Sequence, residues 1–218
     1  HAYSRLVERV DDGLSRILGA LEDAGVREET VVVFTSDHGD MNSAHRLNQK
    51  WALYEESARV PLLVDAPGGQ ADAVDSRLVS TGLDLLPTLC DYAGANTPGD
   101  LHGRSLRPAI EGEDPDWRDA VVTETHMYGL DGRMVRTEDY KYAVYGRGRY
   151  REQLFDLEAD PGEMVNLAVD ARYEDVLAEH RERLLEWCVE TGDTMEHYGR
   201  GGLPAIPGYD YEELEAHF

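Results

Sequence analysis

Apolar positions in the first half of the chain follow two patterns, helical spacing and short continuous runs. Residues 3–25 place aliphatic side chains at intervals of three and four and end at Gly25, which predicts an amphipathic helix with a glycine cap. The runs TVVVFTS (30–36) and VPLLVDA (60–66) predict strands buried on both faces. VSTGLDLLPTLCDYAGA (79–95) predicts another helix. Helices alternating with such strands are typical of a parallel α/β sheet.

The pattern changes after a third predicted strand, DAVVTET (119–125). Residues 132–163 contain short alternating stretches separated by turn residues, which predicts an antiparallel meander. A long amphipathic helix is predicted over 170–191. We therefore expect an α/β core, a small antiparallel β subdomain with a long helix packed on it, and an extended tail, at residues 1–130, 131–198 and 199–218.

Composition indicates a folded core and argues against some kinds of binding partner. Apolar residues make up 41% of the 218 residues, enough for a buried core, and the net charge of −23 argues against nucleic acid or an anionic membrane as a partner. No apolar run reaches the length of a membrane span. The two cysteines, Cys90 and Cys188, lie in helical patterns and are expected to be buried free thiols. The chain opens on His1 inside a predicted helix, so we expect a cut start and assign no cellular location.

The stretch FTSDHGDMNSAHRLNQK (34–50) contains several acidic, basic and histidine residues directly after the first strand. Functional groups in α/β sheets collect where strands end, and Asp37 and His38 stand there. A carboxylate and an imidazole are suitable ligands for a divalent cation, although two ligands do not complete a site. The alternative is an aspartate that caps the following turn beside an exposed histidine.

Further candidates lie nearby or at another strand end. Lys50 is one of only two lysines, and a cation there would neutralise an anionic group in sulfuryl or phosphoryl transfer; the alternative is a solvated surface lysine. His45 and Arg46 are either substrate contacts or solvent-satisfied loop residues. His126 follows the third strand and is a further candidate for substrate contact.

Several ordered motifs resemble the type I sulfatases of the alkaline phosphatase superfamily. These motifs are the segment from TVVVFTSDHGD to VPLLVDAPG, the DLLPTL helix with the GRSL stretch after it, RMVRTEDYKYAVY, and EQLFDLEADPGEMVNLA. The resemblance covers about residues 1–190 and implies the C-terminal part of an alkaline-phosphatase-like sheet-and-helix core, followed by the antiparallel subdomain.

The resemblance also implies roles for individual residues. Asp37 and His38 match the third and fourth protein ligands of the family's metal, which is usually Ca²⁺ and sometimes Mg²⁺ or Mn²⁺. Lys50 matches the lysine that contacts the sulfate and the leaving-group oxygen. His45 and Arg46 fall in a stretch that varies among subfamilies and are assigned to substrate contact. The family's nucleophile is a formylglycine hydrate made from Cys or Ser, whose metal-assisted attack on sulfur hydrolyses the ester.

The formylglycine motif is not in this sequence. Neither cysteine is followed by the C-x-P-x-R pattern, and the only Asp-Asp-Gly run, residues 11–13, lies inside the predicted first helix. We therefore expect a C-terminal fragment that is inactive alone. It would need the N-terminal half or a partner chain, and exposed strand edges and apolar faces would otherwise drive homo-oligomerisation.

Three functions remain open on the sequence. The first is a sulfatase acting on a sulfated small molecule or glycan. The second is a phosphonate or phosphate ester hydrolase of the same superfamily, which would share the Asp37–His38 pair and Lys50. The third is a non-catalytic binding or interaction module. Kinetics on matched sulfate and phosphate esters would separate the first two, and an upstream C-x-P-x-R motif would exclude the third.

Overall fold

The computed structural model describes residues 2–127, 130–146 and 148–193. The helices are α1 Ala2–Asp23, α2 Glu55–Ala58, α3 Thr81–Ala93, α4 Arg107–Ile110 and α5 Glu174–Thr191. The strands are β1 Val32–Thr35, β2 Leu62–Asp65, β3 Val121–Met127, β4 Leu130–Arg136, β5 Tyr140–Tyr145 and β6 Glu152–Asp156. The α/β class predicted from the sequence is confirmed.

The chain divides into two compact units, each built from several segments. The first unit consists of His1–Thr35, Pro61–Asp75 and Thr81–Asp116. The second unit consists of Ser36–Val60, Ser76–Ser80 and Trp117–Phe218, as far as the structure describes them. The boundary predicted at residue 130 falls within the β3–β4 hairpin, and the tail predicted at 199–218 lies outside the described residues. The predicted three-part division stays a prediction.

The first unit contains the helix and the two strands predicted first. Helix α1 ends at Asp23, and Gly25 adopts a left-handed conformation (φ 69°) that glycine tolerates without a Cβ penalty. Strands β1 and β2 pair antiparallel, with Val33 opposite Val64. The sequence pattern had favoured a parallel arrangement, but the spacing of apolar residues and their burial do not determine whether two strands run parallel or antiparallel. The direction depends on the path of the 26 residues between the two strands.

Helix α3 of the first unit explains the DLLPTL and GRSL motifs. Asp84 and Thr88 lie one turn apart, and both are fully buried. Asp84 Oδ1 accepts a hydrogen bond from the Arg104 N–H at 2.9 Å, and Thr88 Oγ1 accepts one from the Leu106 N–H at 2.9 Å. These two side chains hold the GRSL stretch against the helix, because buried backbone N–H groups require partners.

The second unit is organised around an antiparallel meander in the order β3-β4-β5-β6. The antiparallel strands within 132–163 were predicted, whereas β3 was predicted as a strand of the α/β core and instead pairs with β4. Helix α5 packs against this sheet, and its apolar stripe faces a core whose buried members are Val135, Tyr142, Val144, Leu154, Leu177, Leu184 and Cys188. Cys188 is a free thiol in this core, and burial raises its pKa to about 12. Cys90, in α3, is also a free thiol but is only partly buried.

Membrane-spanning character is not found in the described part of the chain. None of its helices combines the length and the apolar composition that crossing a bilayer requires.

Candidate functional site

Asp37 and His38 follow the end of β1 at Thr35 and contact each other directly. Asp37 Oδ2 lies 3.3 Å from His38 Nε2. Asp37 Oδ1 accepts hydrogen bonds from the His38 backbone N–H at 3.0 Å and from the Ser36 hydroxyl at 3.3 Å. The backbone hydrogen bond lowers the pKa of Asp37, since it favours the charged carboxylate. The carboxylate is 82% exposed and accessible to a ligand.

The tautomer of His38 suits a metal ligand. His38 Nδ1 lies 2.7 Å from the Gly39 carbonyl oxygen, which can only accept, so Nδ1 carries the proton in the neutral ring. The lone pair then resides on Nε2, the atom 3.3 Å from Asp37 Oδ2. Both acceptor atoms could therefore face one cation. Metal-bound histidines commonly donate their second ring N–H to a backbone carbonyl in this way.

The spacing of the two acceptors also fits calcium coordination. Ligands at right angles around Ca²⁺ lie about 3.3–3.7 Å apart for metal–oxygen distances of about 2.3–2.6 Å, and Asp37 Oδ2 and His38 Nε2 are 3.3 Å apart. Within the described residues, no group of three or more His, Cys, Asp or Glu side chains could hold a metal ion. The residues therefore fit part of a metal site, and Ca²⁺ would need further ligands.

Gly39 fixes the backbone beside this pair. Its N–H donates to the Ser57 carbonyl at 2.8 Å, and a Cβ on Gly39 would overlap the Glu56 carbonyl oxygen. The absence of a side chain is thus a steric requirement at this position. It allows the chain after His38 to lie directly on α2.

Residues 41–50 form a closed loop whose end lies against its beginning, at Met41. The Met41 N–H donates to the Gln49 carbonyl at 2.9 Å, so the backbone leading into Lys50 lies beside Met41. The loop contains non-glycine residues with positive φ, namely Asn42, Ser43, His45, Arg46 and Gln49. Such conformations cost free energy and persist where the surrounding structure holds them, often at functional sites.

The candidate residues of the loop differ in their exposure to solvent. His45 turns inward: its ring stacks on Tyr54 with centroids 3.8 Å apart and planes within 6°, and its side chain is 11% exposed. Arg46 and Lys50 are exposed. Lys50 is thus accessible to an anion, while His45 contacts Tyr54 and lies 3.9 Å from Glu56. Their roles toward a substrate stay predictions.

His126 belongs to the same unit and pairs with Asp131 across the β3–β4 hairpin, where the two residues face each other in the strand register. The imidazole is 69% exposed, whereas the Asp131 carboxylate is 11% exposed. A buried carboxylate therefore orients an exposed imidazole, an arrangement suited to substrate contact. The role predicted for His126 stays a prediction.

Sequence reasoning missed a set of buried side chains that hold the segment after Lys50. Lys141 and Tyr145 of β5, together with Glu163, contact the backbone of Leu53–Glu55. The available signals were weak: Lys141 is the second of only two lysines, and Glu163 belongs to the DPGE motif. Neither signal indicates burial, because a lysine in a strand is ordinarily exposed.

Comparison with known proteins relates this chain to a family. Residues 43–190 match the family model described as the C-terminal region of N-sulphoglucosamine sulphohydrolase. A Delta 4,5-hexuronate-2-O-sulfatase of Bacteroides thetaiotaomicron is 38% identical, and the match covers 97% of this chain and 46% of that protein. The matched family region includes Lys50 and begins after the Asp37–His38 pair.

Solved structures give the same result. A 2-O GAG sulfatase aligns with a TM-score of 0.79 and 35% identity, over 92% of this chain and 46% of its own. The phosphonate monoester hydrolase of Agrobacterium radiobacter aligns with a TM-score of 0.76 and 32% identity, over 84% of this chain and 40% of its own. The chain thus spans about half the length of the relatives that it matches, and the part of it that the structure describes corresponds to an alkaline-phosphatase-like architecture.

Proposed function

The chain belongs to the sulfatase family, whose C-terminal portion it carries, and on that premise we propose that it supplies half of the active centre of a metal-dependent sulfuric ester hydrolase. The observation that supports this proposal best is the facing pair of acceptors, Asp37 Oδ2 and His38 Nε2, followed along the chain by the closed loop that ends at Lys50.

In the proposed function, Asp37 and His38 hold a divalent cation, with Ca²⁺ preferred and Mg²⁺ or Mn²⁺ as alternatives. The cation, when bound, supplies positive charge to the sulfate. Lys50 stabilises the negative charge that develops on the sulfuryl oxygens and on the leaving-group oxygen. Its exposure on a loop held by backbone hydrogen bonds keeps the ammonium available to substrate.

The remaining parts of the centre are proposed to come from the N-terminal half. The formylglycine nucleophile and further metal ligands belong to that half, because the motifs for them are not in these 218 residues. We accordingly propose that the chain by itself does not turn over a sulfate ester. Multiple turnovers of an aryl sulfate by the chain alone with Ca²⁺ would contradict this.

A sulfated carbohydrate is the proposed substrate class. The relative with 38% identity is named for removing a 2-O-sulfate from a Δ4,5-hexuronate. The exposed Arg46 and His126 are candidates for contact with such a polar, anionic sugar.

A phosphonate or phosphate ester hydrolase is the second candidate. The specific observation in its favour is the similarity to the Agrobacterium phosphonate monoester hydrolase, at 32% identity and a TM-score of 0.76. A cation with an adjacent lysine serves phosphoryl as well as sulfuryl transfer, since both transfers place negative charge on equatorial oxygens.

The deciding experiment compares matched esters on the complete protein that contains this chain. We expect kcat/KM for an aryl sulfate to exceed that for the matched aryl phosphate and phenylphosphonate monoester, with loss of activity on chelation and recovery with Ca²⁺. Lys50→Ala should lower kcat on the sulfate by about 10²–10³-fold, the usual effect of removing one charge-stabilising donor. Asp37→Ala should raise the concentration of Ca²⁺ required.

A matched control is Arg172→Ala, which removes an exposed cation that pairs locally with Asp170. Its kcat/KM should stay within about twofold of the wild type. Faster turnover of the phosphonate than of the sulfate would favour the second candidate. An unchanged kcat in Lys50→Ala would remove the proposed role of Lys50.

A further inference from the structure

Three buried side chains bind the backbone of Leu53–Glu55. The Leu53 N–H donates to Tyr145 Oη at 3.0 Å, and the Leu53 carbonyl accepts from Lys141 Nζ at 3.1 Å. The Glu55 N–H donates to Glu163 Oε2 at 2.6 Å. We call Lys141, Tyr145 and Glu163 the clamp. It satisfies three backbone groups of one short segment with side chains alone.

The clamp is held together by ion pairs that are largely out of solvent. Lys141 Nζ lies 2.6 Å from Glu163 Oε1 and 2.9 Å from Glu55 Oε1, and the side chains of Lys141 and Glu163 are each 1% exposed. Burial raises the pKa of Glu163, while the Lys141 ammonium opposes that shift. Desolvating two charges is costly, and apolar residues of similar volume often give equal stability. Stability is therefore not the main effect to expect from this pair. Because it binds a backbone segment, it fixes the position of that segment.

The clamped segment contacts the candidate site at two points. Ser57, two residues after Glu55, accepts the hydrogen bond from the Gly39 N–H, and Gly39 follows His38 directly. Tyr54, between the two clamped residues, stacks on His45 of the loop. Lys50 itself is only three residues before Leu53. A displacement of the segment would therefore change the position of Lys50 relative to the Asp37–His38 pair.

We propose that Lys141, Tyr145 and Glu163 are positioning residues of the hydrolase, which set the place of Lys50 relative to Asp37 and His38. This inference rests on the proposed function, because it assigns the clamp an effect on turnover. The three side chains do not touch the substrate. They act through the backbone of Leu53–Glu55, and the strained loop 41–50 transmits the position at its C-terminal end.

Strand β5 offers a matched pair of substitutions for the test. Tyr145→Phe removes the acceptor of the Leu53 N–H from the clamp. Tyr142→Phe removes a hydroxyl that donates to Glu152 Oε1 at 2.8 Å, on the same strand but outside the clamp. Both tyrosines are buried, at 7% and 0% exposure, so the chemical change and its setting are alike.

In the complete protein, Tyr145→Phe should lower kcat for an aryl sulfate about tenfold, with KM within about twofold, because a misplaced lysine weakens stabilisation of the transition state more than binding. Tyr142→Phe should leave kcat within twofold, although both variants lower the melting temperature. Glu163→Gln keeps the acceptor for the Glu55 N–H but removes the charge that faces Lys141, and it should also lower kcat.

A double-mutant cycle separates positioning from general destabilisation. If the clamp acts through Lys50, then Tyr145→Phe added to Lys50→Ala should change kcat by less than twofold, since no lysine remains to be positioned. The inference is overturned if the two losses multiply, or if Tyr142→Phe lowers kcat as much as Tyr145→Phe does. If Lys50→Ala alone leaves kcat unchanged, the proposed function and the inference fail together. A loss in Lys50→Ala with none in Tyr145→Phe overturns the inference only.

Discussion

At the scale of single residues, hydrogen bonds to backbone carbonyls fix the orientation of the Asp37–His38 pair. His38 is held by the Gly39 carbonyl, and Gly39 is held by the Ser57 carbonyl. The result is an imidazole whose free nitrogen faces the Asp37 carboxylate oxygen. The first contact is between adjacent residues, and the second involves only α2. The pair is therefore preorganised by its immediate surroundings.

Gly39→Ala tests this preorganisation. The new Cβ would overlap the Glu56 carbonyl oxygen, a backbone atom that cannot move without shifting α2. We expect a loss of about 1–3 kcal/mol in the free energy of unfolding, as for other overpacked sites, together with weaker Ca²⁺ binding. Denaturant unfolding and calorimetric titration of the complete protein would measure the two effects.

The control for this substitution is Gly82→Ala. Gly82 is a helical residue of α3, and an added Cβ there would meet no atom within 4 Å. It should raise the free energy of unfolding, by at most about 1 kcal/mol, because alanine favours the helix. A Gly39→Ala protein that unfolds at the wild-type denaturant concentration would contradict the steric argument.

At the scale of elements, helix α5 packs on the meander, and the two share a buried core. His180 of α5 is 2% exposed, and its Nδ1 lies 2.8 Å from the Val176 carbonyl oxygen, which makes Nδ1 the donor. Its Nε2 lies 3.1 Å from Thr137 Oγ1, in the turn between β4 and β5. A neutral ring satisfies both contacts, and burial lowers the pKa of His180 below its usual value.

This lowered pKa makes the core sensitive to acid. The folded state binds the proton less readily than the unfolded chain, in which the pKa of histidine is about 6.5. The contribution of neutral His180 is therefore complete above that pH and is lost as the pH falls through the folded pKa. We expect the stability of wild type relative to His180→Gln to decrease from pH 7.5 to pH 5. Urea unfolding at both pH values measures this, and a difference that does not change with pH would refute it.

At the scale of the whole molecule, the first unit presents a large apolar surface. Helix α1 contains no buried residue, and several of its aliphatic side chains are more than half exposed, namely Leu6, Val7, Val10 and Ile17. Leu63 of β2 is 60% exposed as well. Several exposed aliphatic side chains on one helix are typical of an interaction face. We propose that the N-terminal half covers it in the complete protein, because the relatives are about twice as long as this chain.

The chain in isolation should then self-associate. The net charge of −23 opposes association, so we expect the oligomer to strengthen with added salt, which screens repulsion over a shorter Debye length. Replacing Leu6, Val10 and Ile17 by Gln should shift the chain toward monomer in sedimentation velocity. Val74→Gln is the control, since Val74 is 98% exposed outside any helix or strand. A chain that stays monomeric at high salt would argue against the interaction face.

Much of the fold was readable from local patterns. The helix over residues 3–25, the strands at 30–36 and 60–66, and the meander all appear close to the predicted bounds, because hydrophobic period and turn residues act over a few positions. Strand direction was not readable: β1 and β2 pair antiparallel, and β3 joins the meander rather than the first sheet. Strand pairing depends on the course of the connecting segments, and patterns over a few neighbouring residues do not describe that course.

Residue order alone shows that a carboxylate, an imidazole and a lysine follow a buried strand, and the ordered motifs were enough to indicate the family. The folded structure was needed to show that His38 Nε2 faces Asp37 Oδ2, that His45 stacks on Tyr54, and that Lys141 is buried against the segment after Lys50. The physical reason is range. Residue type and spacing follow from neighbours along the chain, whereas the tautomer, the orientation and the burial of a side chain are set by groups up to 108 positions away, such as Glu163 at the Glu55 N–H.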